Sequence, residues 1–438
     1  MSATREVAEF VQMTRADAVP AAAKSAALRS RTDTACAARL AQPAEVFALH
    51  AAMPGVWTSA VRSSAAGIGD TARWGTAGAV LWPALEAVSG APPNGADDDR
   101  LADAFCVGVA VGEALWRAGR YREADRGFDG TSVFGAMAAA AACARYLRLS
   151  VDEVVAVLGI AASGTGGLLV NLGTDLEPVH AGMAATTAVR ATRLGQAGFL
   201  AAPDILEARQ GFAEAYFGPD TLHPGQLHDE LSAALAHGYG VRLRRYPCHV
   251  QGQGPVSALA GLGSARRDVT AVQITGVAPT SGAVRFDVPG NAAQARASLR
   301  YVLTLALLRG TVSQAALDPG SADGMAALAA MDRVGVEIMS RWDARLAAHA
   351  PPQLTVTMRD GTVVAVALPE PDGSAAALTD KWTRVCAELT ESGDGETAAR
   401  IAAIIQALAD PRAGRGQRVG AQVGPQVEPA FGFGVAGG

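Results

Sequence analysis

The chain has 438 residues and a net charge of −5, and half of its residues are hydrophobic although only 5% are aromatic. This length is enough for two domains, because a single hydrophobic core stops growing near about 250–300 residues. The acidic balance argues against nucleic acid or an anionic membrane as a partner, and no apolar run approaches the ~20 residues that span a bilayer.

The N-terminal sequence MSATREVAEF is charged and lacks the apolar segment of a secretory signal, so we expect a cytoplasmic protein. The five cysteines are scattered, odd in number and free of any C-x-x-C pair, which predicts neither a disulfide framework nor a zinc site. His223 and His228 have no third ligand near them in sequence, so we expect no metal site there.

Helices are predicted throughout the first half of the chain. Residues 3–52 hold helices broken near Pro20 and Pro43, and residues 61–76, rich in Ser, Gly and Ala, are predicted to form a loop. Glu177 and His180 are expected in a polar loop. Further helices are predicted at 77–88, 99–117, 133–146, from 151 onward, at 181–198 and at 227–237.

The pattern changes near residue 240, where short alternating segments predict strands. Asp360–Gly361 between two such segments is a strong hairpin signal. We therefore predict a mainly α protein with a large helical domain at 1–245, a smaller α/β domain at 246–393, a helix at 394–410 that rejoins the first domain, and a disordered tail at 411–438. The predicted strands are 241–246, 272–276, 334–339, 354–358 and 363–368. Helices are predicted from residue 255 onward, at 292–308, at 380–389 and at 396–408.

One stretch also carries a family resemblance. GFDGTSVFGAMAAAAA at 127–142, LGIAASGTGGL at 158–168 and EPVHAG at 177–182 resemble the MmgE/PrpD family, and ARASLRY at 295–301 adds to the match. That family includes 2-methylcitrate dehydratases, cis-aconitate decarboxylases and related epimerases. The resemblance implies a helical domain with an α/β lid, a homodimer with its active site between the domains, a small-molecule substrate and no cofactor.

Two polar segments of the helical half lie where the family places part of its site. GIGDT followed by TAG resembles D-F-D-D-T…HPG, which keeps Asp70 and Thr71 but puts Gly67 at the first aspartate and Thr76 at the histidine. GFDGT resembles GFH-x-T, with Asp129 in place of another histidine.

Two further segments show the same kind of replacement. EPVHAG resembles KPLH-x-G, with Glu177 in place of the lysine and His180 retained. RRYPCH resembles K-x-YPC, with Arg244 at the lysine, and Gln253 stands where the family has a further histidine.

These replacements change the expected substrate. Family members bind di- and tricarboxylates, which requires cations to hold the carboxylates and histidines to move a proton beside them. Glu177 would repel such an anion, since like charges at ~4 Å cost about 4 kcal/mol at an effective dielectric of 20. The sequence therefore argues against 2-methylcitrate or cis-aconitate and favours a neutral, cationic or singly anionic substrate.

Three hypotheses for function follow. The first is a lyase or isomerase with Asp129 and Glu177 as the acid–base pair and with Arg244 and Thr71 orienting a carbonyl. The second is a cyclase or isomerase that folds a reactive substrate by shape, and the third is a silent paralogue that binds a ligand or a partner. The remaining residues predicted to contact substrate are Asp70, Arg73, Thr76, His180, Tyr246, His249 and Gln253.

Structural alternatives exist for the main candidates. Asp129 precedes the alanine-rich helix and is well placed to be its N-cap. Glu177 in a polar loop would usually be a solvated charge, and His180 would form a local hydrogen bond. A nucleophilic pair of Cys248 and His249 is disfavoured, because adjacent strand residues point to opposite faces.

Overall fold

A computed structural model describes residues 2–40, 53, 55–90, 97–120, 122–223, 225–236, 241–278, 282–340, 352–369 and 373–409. The predicted helix break at Pro43 and the predicted tail from Pro411 lie outside these residues. None of the helices within the described ranges is long and apolar enough to cross a membrane.

The first half consists of helices joined by turns, as predicted. Their starts are set by capping residues: the side chain of Asp129 accepts the N–H of Thr131, and Ser150 and Glu153 form a capping box. The helices are α1 (Ala3–Met13), α2 (Ala21–Leu40), α3 (Gly55–Ala65), α4 (Ala77–Ser89), α5 (Asp98–Gly119), α6 (Arg122–Asp125), α7 (Gly130–Leu147), α8 (Val151–Ser163), α9 (Glu177–Gln196), α10 (Phe212–Phe217) and α11 (Gln226–Ala236).

Helix α7 is the centre of the first hydrophobic core. Its residues Val133 to Ala144 are all fully buried or nearly so, and α4, α5, α8 and α9 pack around it. The small side chains let backbones approach closely. On α5, for example, a Cβ added at Gly108 would lie 2.5 Å from the carbonyl oxygen of Ala138. The composition of α7 therefore sets the spacing of the helices that carry the candidate site.

The second half combines helices with a small mixed sheet. The elements are α12 (Gln253–Gly261), β1 (Val269–Val277), α13 (Ala292–Arg296), α14 (Leu299–Arg309), α15 (Ala322–Ala329), β2 (Val334–Ile338), β3 (Gln353–Met358), β4 (Val363–Val366), α16 (Ala375–Glu391) and α17 (Gly395–Ala409). The strand order is β2-β1-β3-β4, with β1 and β2 parallel and the other pairs antiparallel. The predicted hairpin is confirmed, and Gly361 takes φ 88° in its turn.

Four local predictions are wrong. The predicted loop at 61–76 begins inside α3, and residues 241–246 form no strand, since only Arg242 pairs there in an isolated bridge with Thr71. The predicted helix at 292–308 is two helices, because Ser298 caps α14. Glu177 and His180 lie on the first turns of α9, not in a loop, and Pro178 is well suited to that start.

A third cluster of buried residues links the C-terminal helices to α2. Trp382 of α16 and Ile401 of α17 pack with Cys36, Ala37 and Leu40. Within this cluster Lys381 and Asp33 form a fully buried ion pair with 2.5 Å between Nζ and Oδ1. The C-terminal helices are therefore fixed to the N-terminal half by a charged contact as well as by apolar packing.

Candidate active site

Asp129 and His180 form a hydrogen-bonded pair. His180 Nδ1 lies 2.8 Å from Asp129 Oδ2, although the two residues are 51 positions apart and begin different helices. Asp129 Oδ1 also accepts the N–H of Thr131 at 3.3 Å, so the carboxylate caps α7 and holds the imidazole at once. A carboxylate on Nδ1 fixes the tautomer whose Nε2 carries the free lone pair. This pair can accept and return a proton.

Glu177 lies on the same face of α9 as His180, three residues earlier. Its Oε2 accepts the N–H of Gly173 at 2.8 Å. Burial raises the pKa of Glu177 above its usual value and the negative charge of Asp129 raises it further, while Gly173 and the guanidinium of Arg296 act in the opposite direction. Glu177 is thus a partly buried carboxyl group that retains a proton more readily than a surface glutamate does.

Two arginines lie near Glu177. Arg244 Nε donates to the carbonyl oxygen of Gly69 at 2.6 Å, and Arg296 Nη1 donates to that of Ala65 at 3.0 Å. Burial lowers the pKa of both guanidinium groups, and each feels the charge of Glu177. Asp129, Glu177, His180, Arg244 and Arg296 are named the acid–base cluster below.

His249 lies beside the acid–base cluster. Its backbone N–H donates to the carbonyl oxygen of Arg296 at 2.9 Å, and its Nδ1 accepts the N–H of Gln251 at 3.4 Å. Burial and the charge of Arg244 lower its pKa to about 4. The ring is therefore neutral near pH 7 and can offer an Nε2–H donor. The neighbouring Cys248 is buried, which raises its thiol pKa to about 12, so it is no nucleophile at neutral pH.

Three of the predicted residues make hydrogen bonds within the protein next to the acid–base cluster. Asp70 is fully buried, accepts the N–H of Gly78 at 2.7 Å and the hydroxyl of Ser30, and burial raises its pKa to about 6. The hydroxyl of Thr71 donates to backbone carbonyl groups at 3.0 and 3.1 Å. The backbone N–H of Thr76 donates to the hydroxyl of Thr131 at 3.3 Å.

Three further predicted residues lie outside the cluster. Gln253 is buried, and its amide binds the backbone of Arg245, Tyr246 and Cys248, which holds this segment in place of strand pairing. Tyr246 is buried with the guanidinium of Arg384 5.3 Å from its ring centroid. Arg73 Nε lies 3.6 Å from Oε1 of Glu113 on α5.

Arg296 was missed in the sequence. It lies within the ARASLRY segment, which was used only for the family resemblance. A lone arginine in a short helix of small residues was the available signal, but its proximity to Glu177 arises from the packing of distant segments. Its Nε lies so close to Gly67 that a Cβ there would be 2.6 Å away.

Glu123 is a second unusual carboxyl group near Asp129. It is buried, its Oε2 has no hydrogen-bond partner, and burial raises its pKa to about 7. A surface cavity of about 240 Å³ lies elsewhere, lined by residues that include Ser2, Arg5 and Leu200. No group of acidic, His and Cys side chains able to hold a metal ion occurs in the described part of the chain.

Comparison with known proteins identifies the family. The MmgE/PrpD N-terminal domain matches residues 70–224, and the MmgE/PrpD C-terminal domain matches residues 246–408. The chain therefore belongs to the MmgE/PrpD family, and the mainly helical fold with a small mixed sheet agrees with this assignment.

Its relatives include lyases. The chain is 29% identical over 252 residues to the cis-aconitate decarboxylase of Mus musculus, which covers 54% of this chain and 50% of that protein. It is 24% identical over 310 residues to a cis-aconitate decarboxylase-like protein of Aspergillus oryzae, covering 66% of this chain and 64% of the relative. The match thus spans about half the length of the mouse enzyme.

Proposed function

We propose that this protein is a cofactor-independent lyase or isomerase that moves a proton on a substrate other than a tricarboxylate. The observation that carries the proposal is the 2.8 Å contact between His180 Nδ1 and Asp129 Oδ2. Asp129 occupies the position where the family motif has a histidine, yet it holds a histidine that the motif retains. This contact supports a role in proton transfer for His180 at a site where other motif residues have changed.

His180 is the proposed base. With Nδ1–H donated to Asp129, Nε2 takes a proton from the carbon next to a carbonyl or carboxyl group of the substrate, and Asp129 stabilises the imidazolium that forms. Among the described residues Nε2 makes no hydrogen bond, so its lone pair is not used within the protein. Asp129 then acts as a positioning residue, whereas the sequence alone suggested it as half of the acid–base pair.

Glu177 is the proposed acid. Burial raises its pKa, so Glu177 holds a proton more readily than a surface glutamate does, and in its protonated form it can protonate a leaving hydroxyl group as the carbon–oxygen bond breaks. In a dehydration the C–H and C–O bonds break, a C=C bond forms, and water leaves with the proton from Glu177. In an isomerisation the same groups return the proton to another carbon.

The pair of Asp129 and His180 also bears on the other two hypotheses. A site that works by shape alone has no need of a histidine with a fixed tautomer, and a silent paralogue has no need to keep one buried beside a carboxylate.

The resemblance further predicts an α/β lid and a homodimer. The side chains of Leu168, Val170 and Met183 next to the site are exposed, which fits a surface that a lid or a second subunit covers.

Proton exchange in D₂O tests this function. The protein is incubated with 3-hydroxybutyrate and crotonate, with malate and fumarate, and with citrate and cis-aconitate, and deuterium at carbon is followed by NMR. We expect deuterium at C2 of an acid with one carboxylate. Faster exchange into citrate or cis-aconitate than into every other acid would contradict the proposal.

A further inference from the structure

The contacts of His249 and His180 assign opposite tautomers to the two rings. His180 Nδ1 lies 2.8 Å from Asp129 Oδ2, so the proton of the neutral ring lies on Nδ1. His249 Nδ1 instead accepts the backbone N–H of Gln251 at 3.4 Å, which leaves the proton of the neutral ring on Nε2. One histidine can therefore accept a proton at Nε2, and the other can donate a hydrogen bond there.

His249 lies beside two arginines of the acid–base cluster. Its backbone N–H donates to the carbonyl oxygen of Arg296 at 2.9 Å, and burial together with the charge of Arg244 keeps its ring neutral near pH 7. The histidine of the family motif falls four residues later, at Gln253, whose amide is bound to backbone groups. His249 is thus a neutral donor at a position outside the motif.

One segment of the second half borders both His249 and Glu177. A Cβ added at Gly282 would lie 2.7 Å from His249 Nε2, and a Cβ added at Gly173 would lie 2.5 Å from Phe286 Cε2. The N–H of Gly173 is the one that Glu177 accepts. The chain from Gly282 to Phe286 therefore runs past His249 at one end and past the support of Glu177 at the other.

Glycine at position 282 keeps the Nε2 side of His249 open. Among the described residues Nε2 makes no hydrogen bond, and any side chain at 282 would press on it. The φ of Gly282 lies outside the left-handed region, so the backbone conformation does not by itself require glycine there. The donor of His249 is therefore unused within the described part of the chain.

We propose that His249 is a further catalytic residue, whose Nε2–H donates a hydrogen bond to the substrate oxygen that becomes negative when His180 removes a proton from the adjacent carbon. This inference rests on the proposed function, because it adds an electrophile to the same site. The electron pair of the broken C–H bond forms a C=C bond to the carbonyl carbon, and the C=O pair moves to the oxygen. The carbon's proton goes to His180 Nε2, and His249 keeps its own proton. A donor aimed at developing charge stabilises the transition state more than the ground state.

Deuterium exchange by the full chain tests this inference, with the acid that exchanges fastest among the three pairs named above. We expect His249→Leu to lower kcat by about 10²–10³ with little change in KM, because the bond strengthens only in the transition state. His249→Gln keeps a side-chain donor and should retain about tenfold more of kcat than His249→Leu. The matched control His228→Leu, at an exposed position on α11, should leave both constants unaltered.

Gly282→Ala tests the same contact without changing His249, and it serves if His249→Leu fails to fold. The added Cβ would meet Nε2 at 2.7 Å, so the ring must turn away, and kcat should fall by about tenfold or more. Gly261→Ala is its control, because that glycine is exposed and no described atom lies within 4 Å of a Cβ there.

The state of the ring is read independently by ¹⁵N NMR of histidine-labelled protein, with the signal assigned by its loss in His249→Leu. At pH 6, where a histidine with the ordinary pKa of about 6.5 is mostly charged, we expect His249 to be neutral and protonated at Nε2. A charged ring, or a neutral ring protonated at Nδ1, would overturn the inference.

The kinetic outcomes separate the inference from the proposed function. If His180→Gln abolishes exchange but His249→Leu and Gly282→Ala keep more than half of kcat, the inference fails and the proposed function stands. If the unmodified protein exchanges protons with none of the acids, both fail together.

Discussion

Replacing His180 by glutamine is expected to lower kcat by about 10²–10⁴ while KM changes little, because a positioned general base contributes that much to a proton transfer. Glutamine keeps a donor for the carboxylate of Asp129 but has no lone pair of suitable basicity. Asp129→Asn is expected to cause a loss of similar size, since an amide can accept at one atom and donate at the other and no longer fixes the tautomer. The measurement is the initial rate of deuterium entry into the acid that exchanges fastest.

His228→Gln is the matched control for this comparison. His228 lies on α11 with an exposed side chain, so the same chemical change there should leave both kinetic constants unaltered. Circular dichroism of each variant checks that the total helical content is unchanged. A His180→Gln variant that retains more than half of kcat would remove His180 from the mechanism.

Asp33→Ala is expected to destabilise the protein by about 3–5 kcal/mol, because it leaves the ammonium group of Lys381 buried without its counter-ion. Asp33 is fully buried, and Lys381 is 1% exposed. Asp33 Oδ1 also accepts from Trp382 Nε1 at 2.8 Å, so a second buried donor loses its partner. Urea unfolding followed by circular dichroism measures the loss.

Two further variants define what this loss means. Asp33→Ala combined with Lys381→Met removes both charges and should be more stable than Asp33→Ala alone. Asp152→Ala removes a carboxylate that is 87% exposed in its pair with Arg5, and it should change stability by less than about 1 kcal/mol. A cost for Asp33→Ala as small as that for Asp152→Ala would show that the buried pair contributes little.

The sequence predicted most of the helices, the strands of the sheet and the hairpin at Asp360–Gly361, because hydrophobic periodicity and turn residues act locally. It failed at 241–246, where alternation suggested a strand but the side chain of Gln253 takes up the backbone groups. It also placed Glu177 and His180 in a loop, since Pro178 was not recognised as a residue that begins a helix.

The candidate site residues were chosen from the sequence one by one, but their arrangement could not be predicted from it. Asp129, Glu177 and Arg244 came from motif positions, and the structure brings their charges together. The contact of Asp129 with His180 joins the first turns of two helices, and the approach of Arg296 to Glu177 joins distant parts of the chain. Such contacts depend on how elements pack, which no local pattern in the sequence encodes.

The tautomer of His180 decides whether this histidine can act as a base. It is measured by ¹⁵N NMR of histidine-labelled protein, with the signal assigned by its loss in His180→Gln. We expect the neutral ring to carry its proton on Nδ1, donated to Asp129, and we expect Asp129→Ala to remove this preference. A neutral ring protonated at Nε2 in the unmodified protein would mean that Nε2 has no lone pair for the substrate. His180 would then not be the base.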